Sequence, residues 1–331
     1  MAPSPLRIVL PGGSGHLGRI LAWHFHEQGH SVTVISRHPG QGPWRCVRWD
    51  GFEIGDWARV IDRADVVINL AGKNVNCRYN AANRREIKHS RVVTTALIGE
   101  AIAQAAYPPA VWLNASTCTI YKHCLDRAMD ESGEFGGKEP DAPAKWAFSV
   151  DVALSWERAL MAANTPHTRR VAMRSAMVMS PEPGGVFDRL LHLIRMGLGG
   201  TLGPGDQFVS WIHDADFIRA VEFLIQHQNV EGPVNVCSPC PVPNHYFMRC
   251  LRHAWCTTYI GVPAPRWMLA VGAVALRTET ELFLKSRRAV PGILKKNGFE
   301  FHFPNWRGAA QDLVHRWRGL QTDACLSAAA L

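Results

Sequence analysis

The residues of this sequence best suited to chemistry are glycines near its start. They can be read as Gly12-x-x-Gly15-x-x-Gly18 or, in the other common register, as Gly13-x-Gly15-x-x-Gly18. Glycines at these spacings let backbone N–H groups approach an anion closely, because no side chain intervenes. The segment that we take as a candidate phosphate-binding loop consists of Gly12, Gly13, Ser14, Gly15, His16, Leu17 and Gly18.

A predicted strand and a predicted helix flank these glycines. The apolar run from Leu6 to Leu10 precedes the loop and predicts a buried parallel strand, while an apolar helical face follows it. Residues Ser31 to Ile35 predict a second strand. In this β-α-β order the N-terminus of the helix faces the diphosphate of a dinucleotide. We therefore predict dinucleotide binding, with a plain tight turn as the alternative.

The end of the second predicted strand bears on which dinucleotide binds. Ser36 and Arg37 stand where an NAD site usually carries Asp or Glu for the ribose 2′-hydroxyl. A guanidinium can pair with a 2′-phosphate, whereas a carboxylate would repel it. The sequence therefore favours NADP as the cofactor over NAD. The alternative is that Arg37 is an ordinary exposed arginine.

A later strand also predicts cofactor contacts. The apolar run that starts at Asp65 ends in small residues, and the carboxyl ends of strands in a doubly wound sheet line the ligand crevice. We expect the cofactor to lie beside the end of this strand, at Asn69, Leu70, Ala71 and Gly72. Lys73 points either into the site or to solvent. A helix is predicted over 83–105, with three cations that are either site-facing or solvated, namely Arg84, Lys88 and Arg91.

Polar residues farther along the chain predict substrate contacts. A strand over 110–114 runs into a hydroxyl-rich segment that contains Ser116, Thr117 and Tyr121, where hydroxyls can bind a substrate oxygen. A second glycine-rich loop spans 199–207 and is followed by aromatic and polar residues. The predicted substrate-binding residues are Ser116, Gln207, Trp211 and His213. Arg174 and Arg219 either pair with an anionic substrate or form core salt bridges.

The alternation of strands and helices predicts the fold class. It is α/β, with a Rossmann-type doubly wound parallel sheet and a smaller, mostly helical C-terminal substrate lobe. We expect the nucleotide-binding domain to span 5–180 and to take in about 207–243. The substrate-side lobe would then comprise 181–206 and 244–320.

Composition narrows the function classes. The 331 residues carry a net charge of +8, but the basic residues are spread along the chain, so we expect no nucleic-acid partner. The most apolar run, Trp267 to Leu276, is about half the length that crosses a bilayer, so no membrane association is expected. Since the first predicted strand begins at Leu6, no signal peptide is expected, and a cytoplasmic location follows. Nine scattered cysteines favour reduced thiols; Cys237-x-x-Cys240 has no second pair, and no metal site is predicted.

Several segments together resemble one family, and the likeness runs from Ile8 to about Val314. The segments are the glycine loop, 69–72, 87–92, 199–207, 211–213, 232–235 and, near the end, 286–291 with Gly298-Phe299. On these segments the chain resembles the extended short-chain dehydrogenase/reductases, and within them the atypical epimerase family group, which is sugar-nucleotide epimerase-like. The C-terminal stretch resembles the small domain of unknown function that ends these proteins.

The resemblance also exposes a departure at the catalytic centre. Extended members use a Tyr-x-x-x-Lys pair, in which lysine and the oxidised nicotinamide lower the pKa of the tyrosine. Those positions fall on Ser149 and Ala153, and no Tyr-x-x-x-Lys occurs anywhere in the chain. The Ser or Thr of the superfamily triad corresponds to Thr117, which remains available to orient a carbonyl. A replacement acid/base is then needed, and the predicted residues are Tyr121 and Lys73, with Lys122 and His213 as further candidates.

Two hypotheses from different classes follow. The first is an NADP-dependent oxidoreductase or epimerase-like enzyme that acts on a small-molecule carbonyl or hydroxyl substrate. The second is an NADP-binding regulatory or scaffold protein with little or no turnover, since the glycine loop is present while the Tyr/Lys pair is absent. Tyr121 would then only pack against the nicotinamide. The resemblance also implies a homodimer through the helices near 83–105 and 147–162.

Overall fold

The computed structural model describes residues 4–38, 40–139, 143–255 and 281–329. The chain divides into two compact units by its internal contacts. The first unit comprises Met1–Ile120, Pro143–Ser175 and Ile218–Val234, and the second comprises Tyr121–Ala142, Ala176–Phe217 and Asn235–Leu331. The apolar run from Trp267 to Leu276 lies outside the described residues.

The strands are short and mostly apolar. In chain order they are β1 (Arg7–Pro11), β2 (Ser31–Ser36), β3 (Arg45–Arg48), β4 (Val66–Asn69), β5 (Val111–Thr117), β6 (Arg169–Ser175), β7 (Met177–Met179), β8 (Phe208–Val209), β9 (Trp211–His213), β10 (Gly232–Val236) and β11 (Val242–Pro243).

The helices of the described residues alternate with the longer strands. In chain order they are α1 (His16–Glu27), α2 (Ala81–Gln104), α3 (Ala144–Met161), α4 (Val186–Arg195), α5 (Asp214–Gln226), α6 (Asn244–Ala254), α7 (Glu281–Leu284), α8 (Gly292–Lys296) and α9 (Trp306–Ala329). None of the helices that can be described is long and apolar enough to span a membrane.

The main sheet confirms the predicted Rossmann-type architecture. Its seven strands lie in the order β10-β6-β5-β4-β1-β2-β3. Strand β1 pairs in parallel with β2 on one side and with β4 on the other, so the strand order reverses at β1. A crevice forms at such a reversal, outside the carboxyl ends of the strands, and this is where open α/β sheets bind ligands.

The core of the first unit explains why these strands are so apolar. Both faces of a parallel sheet are covered, so residues such as Val9, Ile35 and Val67 are buried. Three tryptophans fill the space between the sheet and its helices. Trp112 is fully buried, and the rings of Trp49 and Trp57 lie 4.6 Å apart between centroids.

The second unit has its own core and two small sheets. Strand β7 pairs in parallel with β9, and β8 pairs antiparallel with β11. The core is aromatic: the rings of Phe247 and Trp306 stack at 4.0 Å, and Trp211 meets Trp306 edge-on at 5.0 Å. Phe247 lies on α6 and Trp306 begins α9, so this contact joins the two helices. The second unit therefore has a hydrophobic core of its own, distinct from the core around the seven-stranded sheet.

Candidate functional site

The glycine loop between β1 and α1 has a conformation that its glycines alone permit. Gly12 adopts φ of +78°, and a Cβ atom built there would lie 2.6 Å from the backbone nitrogen of Ala71. A Cβ on Gly18 would lie 2.5 Å from Cα of Gly13. Both distances are far below van der Waals contact, so a side chain at either position would force the backbone apart. The loop is thereby held against both the start of α1 and the end of β4.

The N-terminus of α1 is open to an anion. The helix follows Gly15, whose position lacks any side-chain cap, and its first turn carries no acidic residue. The N-terminus of α1 therefore has no side-chain acceptor of the kind that a Ser or Asp cap provides. Its backbone N–H donors and the positive end of the helix dipole suit a phosphate group. The chain thus fits the diphosphate of a dinucleotide at this point; His16 and Leu17 form the first turn itself.

Two hydroxyl groups connect the glycine loop to the end of β2. The Oγ atoms of Ser14 and Ser36 lie 2.6 Å apart, and Ser36 also donates to the carbonyl of His38 at 3.0 Å. Arg37 follows Ser36 directly and is exposed to solvent. The described residues at the end of β2, Ser36, Arg37 and His38, include no carboxylate that would repel a 2′-phosphate. The end of β2 therefore fits the adenosine ribose of NADP, as the sequence predicts from Arg37.

The end of β4 is held by a buried amide. The Asn69 side chain donates to Oδ1 of Asn114 at 2.6 Å and accepts from the backbone N–H of Ala71 at 3.0 Å. The backbone N–H of Leu70 donates to the carbonyl of Pro11 at 2.8 Å. These bonds hold Ala71 and the exposed Gly72 beside the glycine loop, where the sequence predicts cofactor contacts.

The three cations of α2 have different surroundings. The ammonium group of Lys88 pairs with the Asp151 carboxylate at 2.7 Å, and the Arg84 guanidinium lies over the Phe148 ring. The Arg91 guanidinium instead lies against Gly72, with its carbon 3.2 Å from the position of a Cβ atom there. Arg91 is thus the member of this trio that reaches the end of β4, a distinction that helical spacing alone could not make.

The hydroxyls at the end of β5 are engaged within the first unit. Ser116 donates to Oε1 of Glu157 at 2.6 Å, and the same carboxylate receives two hydrogen bonds from Arg174, each 2.8 Å long. Arg174 is therefore in a core salt bridge, one of its two predicted roles. Thr117 accepts a hydrogen bond from the backbone N–H of Thr119 at 3.1 Å and is half-buried. Its own hydroxyl donates to Oγ1 of Thr119 at 3.1 Å, so this bond would have to be exchanged before Thr117 could donate to a substrate oxygen.

Helix α3 carries the positions at which the Tyr/Lys pair is missing. Ser149 is half-buried, whereas Ala153 is fully buried. A lysine at Ala153 would have to displace packed neighbours, because protein interiors hold few voids of side-chain size. The packing around Ala153 therefore leaves no space for the lysine of the usual pair.

Two residues predicted as the replacement acid/base are already paired. The Lys73 ammonium pairs with Glu86, and its side chain is 23% exposed. In the second unit, Tyr121 is buried and donates its phenolic hydrogen to Oδ1 of Asn235 at 2.7 Å. Both remain predictions, but Tyr121 would have to exchange a buried partner before it could donate to a substrate.

Three residues predicted to bind substrate lie inside the second unit. Gln207 donates to the carbonyl of Leu202 and accepts from the backbone N–H of Gly205, so it braces the second glycine-rich loop. Trp211 is fully buried and donates its indole N–H to the carbonyl of Cys240 at 3.1 Å. His213 is also buried. These contacts favour structural roles for Gln207, Trp211 and His213, whose assignment as substrate-binding residues remains a prediction.

His213 belongs to a charged network of the second unit. Its ring nitrogens lie 3.0 Å from the Asp214 carboxylate and 2.9 Å from that of Asp312, and its ring stacks on Phe303 at 3.8 Å. Arg316 pairs with Asp214 at 2.7 Å. Burial alone would raise the pKa of Asp214, but hydrogen bonds with His213 and Arg316 outweigh it and lower that pKa to about 2. The Asp214 carboxylate thus stays ionised at neutral pH.

The chain matches sequence models of two known protein families. A sequence model of the NAD dependent epimerase/dehydratase family matches residues 8–237, more than half of the chain. The chain belongs to this family. Residues 264–313 match a second model, a domain of unknown function (DUF1731). The resemblance that the sequence motifs indicated is therefore confirmed, including its C-terminal part.

Relatives named for the same family cover almost the entire chain. Epimerase family protein SDR39U1 of Bos taurus is 31% identical over 317 residues, which is 93% of this chain and 100% of the relative. A crystal structure of human SDR39U1 (isoform 2) with NADPH superposes with a TM-score of 0.81 and 28% identity, covering 94% of this chain and 99% of that one. A nucleoside-diphosphate sugar epimerase from Corynebacterium glutamicum matches with a TM-score of 0.73 and 26% identity, covering 94% of this chain and 59% of that one.

Proposed function

We propose that this family member binds NADP(H) at the carboxyl edge of its seven-stranded sheet and uses it in hydride transfer to or from a carbonyl or hydroxyl substrate. The observation that carries the proposal is the uncapped N-terminus of α1, placed by the glycine loop where the strand order reverses. The NADPH held by human SDR39U1 supports the choice of cofactor. A bound nicotinamide would supply the site that donates or accepts hydride.

The chain itself must then move the proton that accompanies the hydride. When hydride reaches a carbonyl carbon, the carbonyl oxygen needs a proton, and a positioned acid provides it. We assign the orienting hydrogen bond to Thr117 and the proton to Lys73, whose ammonium can be replenished from solvent past Glu86. Lys73 directly follows the cofactor-side residues of β4 and is partly exposed, which a proton-exchanging group requires.

A second function is favoured by one observation, the full burial of Ala153. Since the helix is packed without the lysine of the usual pair, an NADP-binding protein with little turnover fits the same structure. Such a protein would act as a redox-responsive regulator or scaffold. A homodimer through α2 and α3 is compatible with either function and remains a proposal.

The test of cofactor binding is a titration of the purified chain with NADPH and NADH, followed by nicotinamide fluorescence. We expect Arg37→Ala to weaken NADPH binding by roughly tenfold or more, because a charge-assisted contact to the 2′-phosphate is lost, and to leave NADH binding unchanged. Arg45→Ala is the matched control, since Arg45 is exposed on β3 at the end of the strand away from Ser36.

The outcomes separate the hypotheses. If neither nucleotide binds the wild type, the cofactor proposal is refuted and both functions fail with it. If NADPH binds, a screen of carbonyl compounds for NADPH oxidation distinguishes the enzyme from the regulator. Turnover that Lys73→Met abolishes, while NADPH still binds, supports the assigned proton donor. Turnover that survives this substitution refutes that assignment.

A further inference from the structure

A cavity of about 420 Å³ lies within the second unit and is lined by α6 and α9. Its size falls within the range of about 300–1,000 Å³ that is usual for small-molecule sites. The described residues that line it include no Asp or Glu. Its polar lining residues are Tyr246, Arg249, Cys250 and His253 of α6, and Arg307 and Gln311 of α9. Each helix thus contributes one arginine, and every polar residue of the lining can donate a hydrogen bond.

The walls of this cavity are held in place by core contacts of the neighbouring residues. Phe247 follows Tyr246 on α6, and its ring stacks at 4.0 Å on that of Trp306. Trp306 directly precedes Arg307 on α9, and its indole N–H donates to the backbone carbonyl of Phe247 at 2.9 Å. The two helices would therefore have to break the aromatic core of the second unit to move apart. A ligand would find the cavity already formed, which lowers the entropic cost of binding.

Neither arginine of the cavity has an acidic partner in the part of the chain that the structure describes. No carboxylate of those residues lies at salt-bridge distance from Arg249 or Arg307. Helix α6 contains no acidic residue, and the first turn of α9 contains none either. Asp312, farther along α9, pairs instead with His213 and Arg316. Two like charges therefore line one cavity, and the described residues supply no anion to offset them.

Both positive charges act on the same part of the cavity. Burial raises the pKa of the Cys250 thiol, although Arg249 and Arg307 act to lower it. A hydrogen bond with Cys250 raises the pKa of the Tyr246 phenol, which the same two arginines also act to lower. The Arg249 guanidinium lies 5.1 Å from the centre of the Tyr246 ring. Because electrostatic interactions weaken with distance, these shared effects show that the two charges converge near Tyr246 and Cys250.

The charges and donors of the cavity select one class of anion. A phosphate monoester carries a charge of about −1.5 to −2 at pH 7 and has three acceptor oxygens. That charge matches two arginines, whose planar guanidinium groups donate to phosphate oxygens in pairs. The Tyr246 phenol and the Gln311 amide provide two neutral donors besides. Since inorganic phosphate would fill only a minor part of 420 Å³, the cavity suits a phosphate that carries an organic group.

We propose that the cavity between α6 and α9 binds a phosphorylated small molecule, whose phosphate group lies between Arg249 and Arg307. The organic group would occupy the rest of the cavity, where His253 and Gln311 are the polar residues available to it. All of these residues belong to the second unit, whereas the residues of the proposed NADP(H) site belong to the first. The two proposals are therefore independent of each other.

The test is isothermal titration calorimetry of the full chain at constant ionic strength, because salt screens exposed charges. The probes are ribose 5-phosphate, inorganic phosphate, citrate and unphosphorylated ribose. We expect ribose 5-phosphate to bind the wild type, inorganic phosphate to compete with it, and ribose not to bind. Arg249→Met and Arg307→Met should each weaken ribose 5-phosphate by roughly tenfold to a hundredfold, because each removes a charge-assisted contact.

The controls separate binding at the cavity from other effects. Arg189→Met removes an exposed arginine of α4 that does not line the cavity, so the affinity for ribose 5-phosphate should stay as in the wild type. Arg37→Ala should also leave it unchanged. Arg249 and Arg307 are exposed, so neither methionine variant should lower the melting temperature of the apo protein. Arg307→Lys keeps the charge without the planar fork, and its affinity should lie between those of the wild type and Arg307→Met.

Each outcome decides the proposal. If ribose 5-phosphate does not bind the wild type, the proposal is overturned, whether or not NADPH binds. Affinities of Arg249→Met and Arg307→Met within about twofold of the wild type would also overturn it. Loss of binding in Arg37→Ala alone would locate the phosphate at the nucleotide site of the first unit, with the same consequence. Citrate that binds more tightly than ribose 5-phosphate would overturn the choice of a phosphate monoester. A loss confined to the two cavity variants, with unchanged apo melting temperatures, supports the proposal.

Discussion

Replacing Glu157 by alanine should be among the most destabilising single changes in the first unit. The Glu157 carboxylate receives two hydrogen bonds from Arg174 and one from Ser116, all between 2.6 and 2.8 Å. The side chains of Arg174 and Glu157 are only 3% and 12% exposed. Removing Glu157 would break this buried ion pair by deleting one of its members, at a cost of about 3–5 kcal/mol in the free energy of unfolding.

The measurement is urea denaturation followed by tryptophan fluorescence and circular dichroism, with coincidence of the two transitions as the check on two-state behaviour. Asp56→Ala is the control. The side chains of Arg59 and Asp56 are 84% and 89% exposed, so their salt bridge should contribute at most about 1 kcal/mol to the free energy of unfolding. The double variant Glu157→Leu/Arg174→Met removes both charges, so it should be more stable than Glu157→Ala alone.

Two results would refute this reasoning about Arg174. A cost for Glu157→Ala no larger than that for Asp56→Ala would mean that the guanidinium finds water or another partner. Additive costs in the double variant would mean that the two charges are not coupled. Either result would reopen the other predicted role of Arg174, as the partner of an anionic substrate.

Two further predictions concern the glycine loop and the charged network of the second unit. Gly12→Ala should abolish NADPH binding and lower the free energy of unfolding more than Gly29→Ala does. Both residues adopt a positive φ that costs alanine about 1–2 kcal/mol, but only at Gly12 would the new Cβ atom meet backbone atoms. Thermal unfolding and NADPH titration of both variants test this, and equal effects would contradict it. The folded-state pKa of Asp214, about 2 against an ordinary 3.8, means that its stabilisation is present above about pH 4 and is lost as the pH falls toward 2, by about 2 kcal/mol in all. Urea denaturation at a series of pH values should show this loss in the wild type, and a wild-type slope no steeper than that of Asp214→Asn would contradict it.

The elements of the first unit could be predicted because their signals are local. A run such as Val66–Asn69 is buried on both faces of a parallel sheet, and its sequence is correspondingly apolar. Helix α2 begins at Ala81, two residues before the predicted 83, because the Asn80 side chain accepts from the backbone N–H of Asn83 and caps it. That cap is visible in the sequence. The start of α2 at Ala81 could therefore have been predicted from Asn80, a residue type that commonly caps helices.

The short strands of the second unit carry no comparable signal. Strand β8 has two residues and exists only because it pairs with β11, more than thirty positions along the chain. Strand β9 includes Trp211 and His213, whose residue types suggested a binding surface. Burial of both follows from contacts with Trp306 and Asp312, in a helix about a hundred residues away. Residue type alone cannot separate a polar group that braces a core from one that meets a ligand.

The candidate site shows the same limit in the placement of its charges. Spacing on α2 left Arg84, Lys88 and Arg91 equivalent, and only the positions of Asp151 and Gly72 separate Lys88 from Arg91. A buried Arg–Glu pair between β6 and α3 likewise depends on which elements become neighbours. Pairing partners of this kind are set by topology, which a single sequence specifies only through the complete fold.

The distribution of charge in the first unit bears on how this family member can work without a Tyr/Lys pair. In the usual arrangement a lysine on the helix after the fifth strand supplies the cation that lowers the pKa of the tyrosine. Here that position is the buried Ala153, and the cations at the sheet edge come instead from Lys73 after β4 and Arg91 on α2. The usual lysine position of α3 therefore carries no cation, whereas Lys73 and Arg91 lie beside the end of β4. This is why we assign the proton to Lys73 and not to a residue of α3.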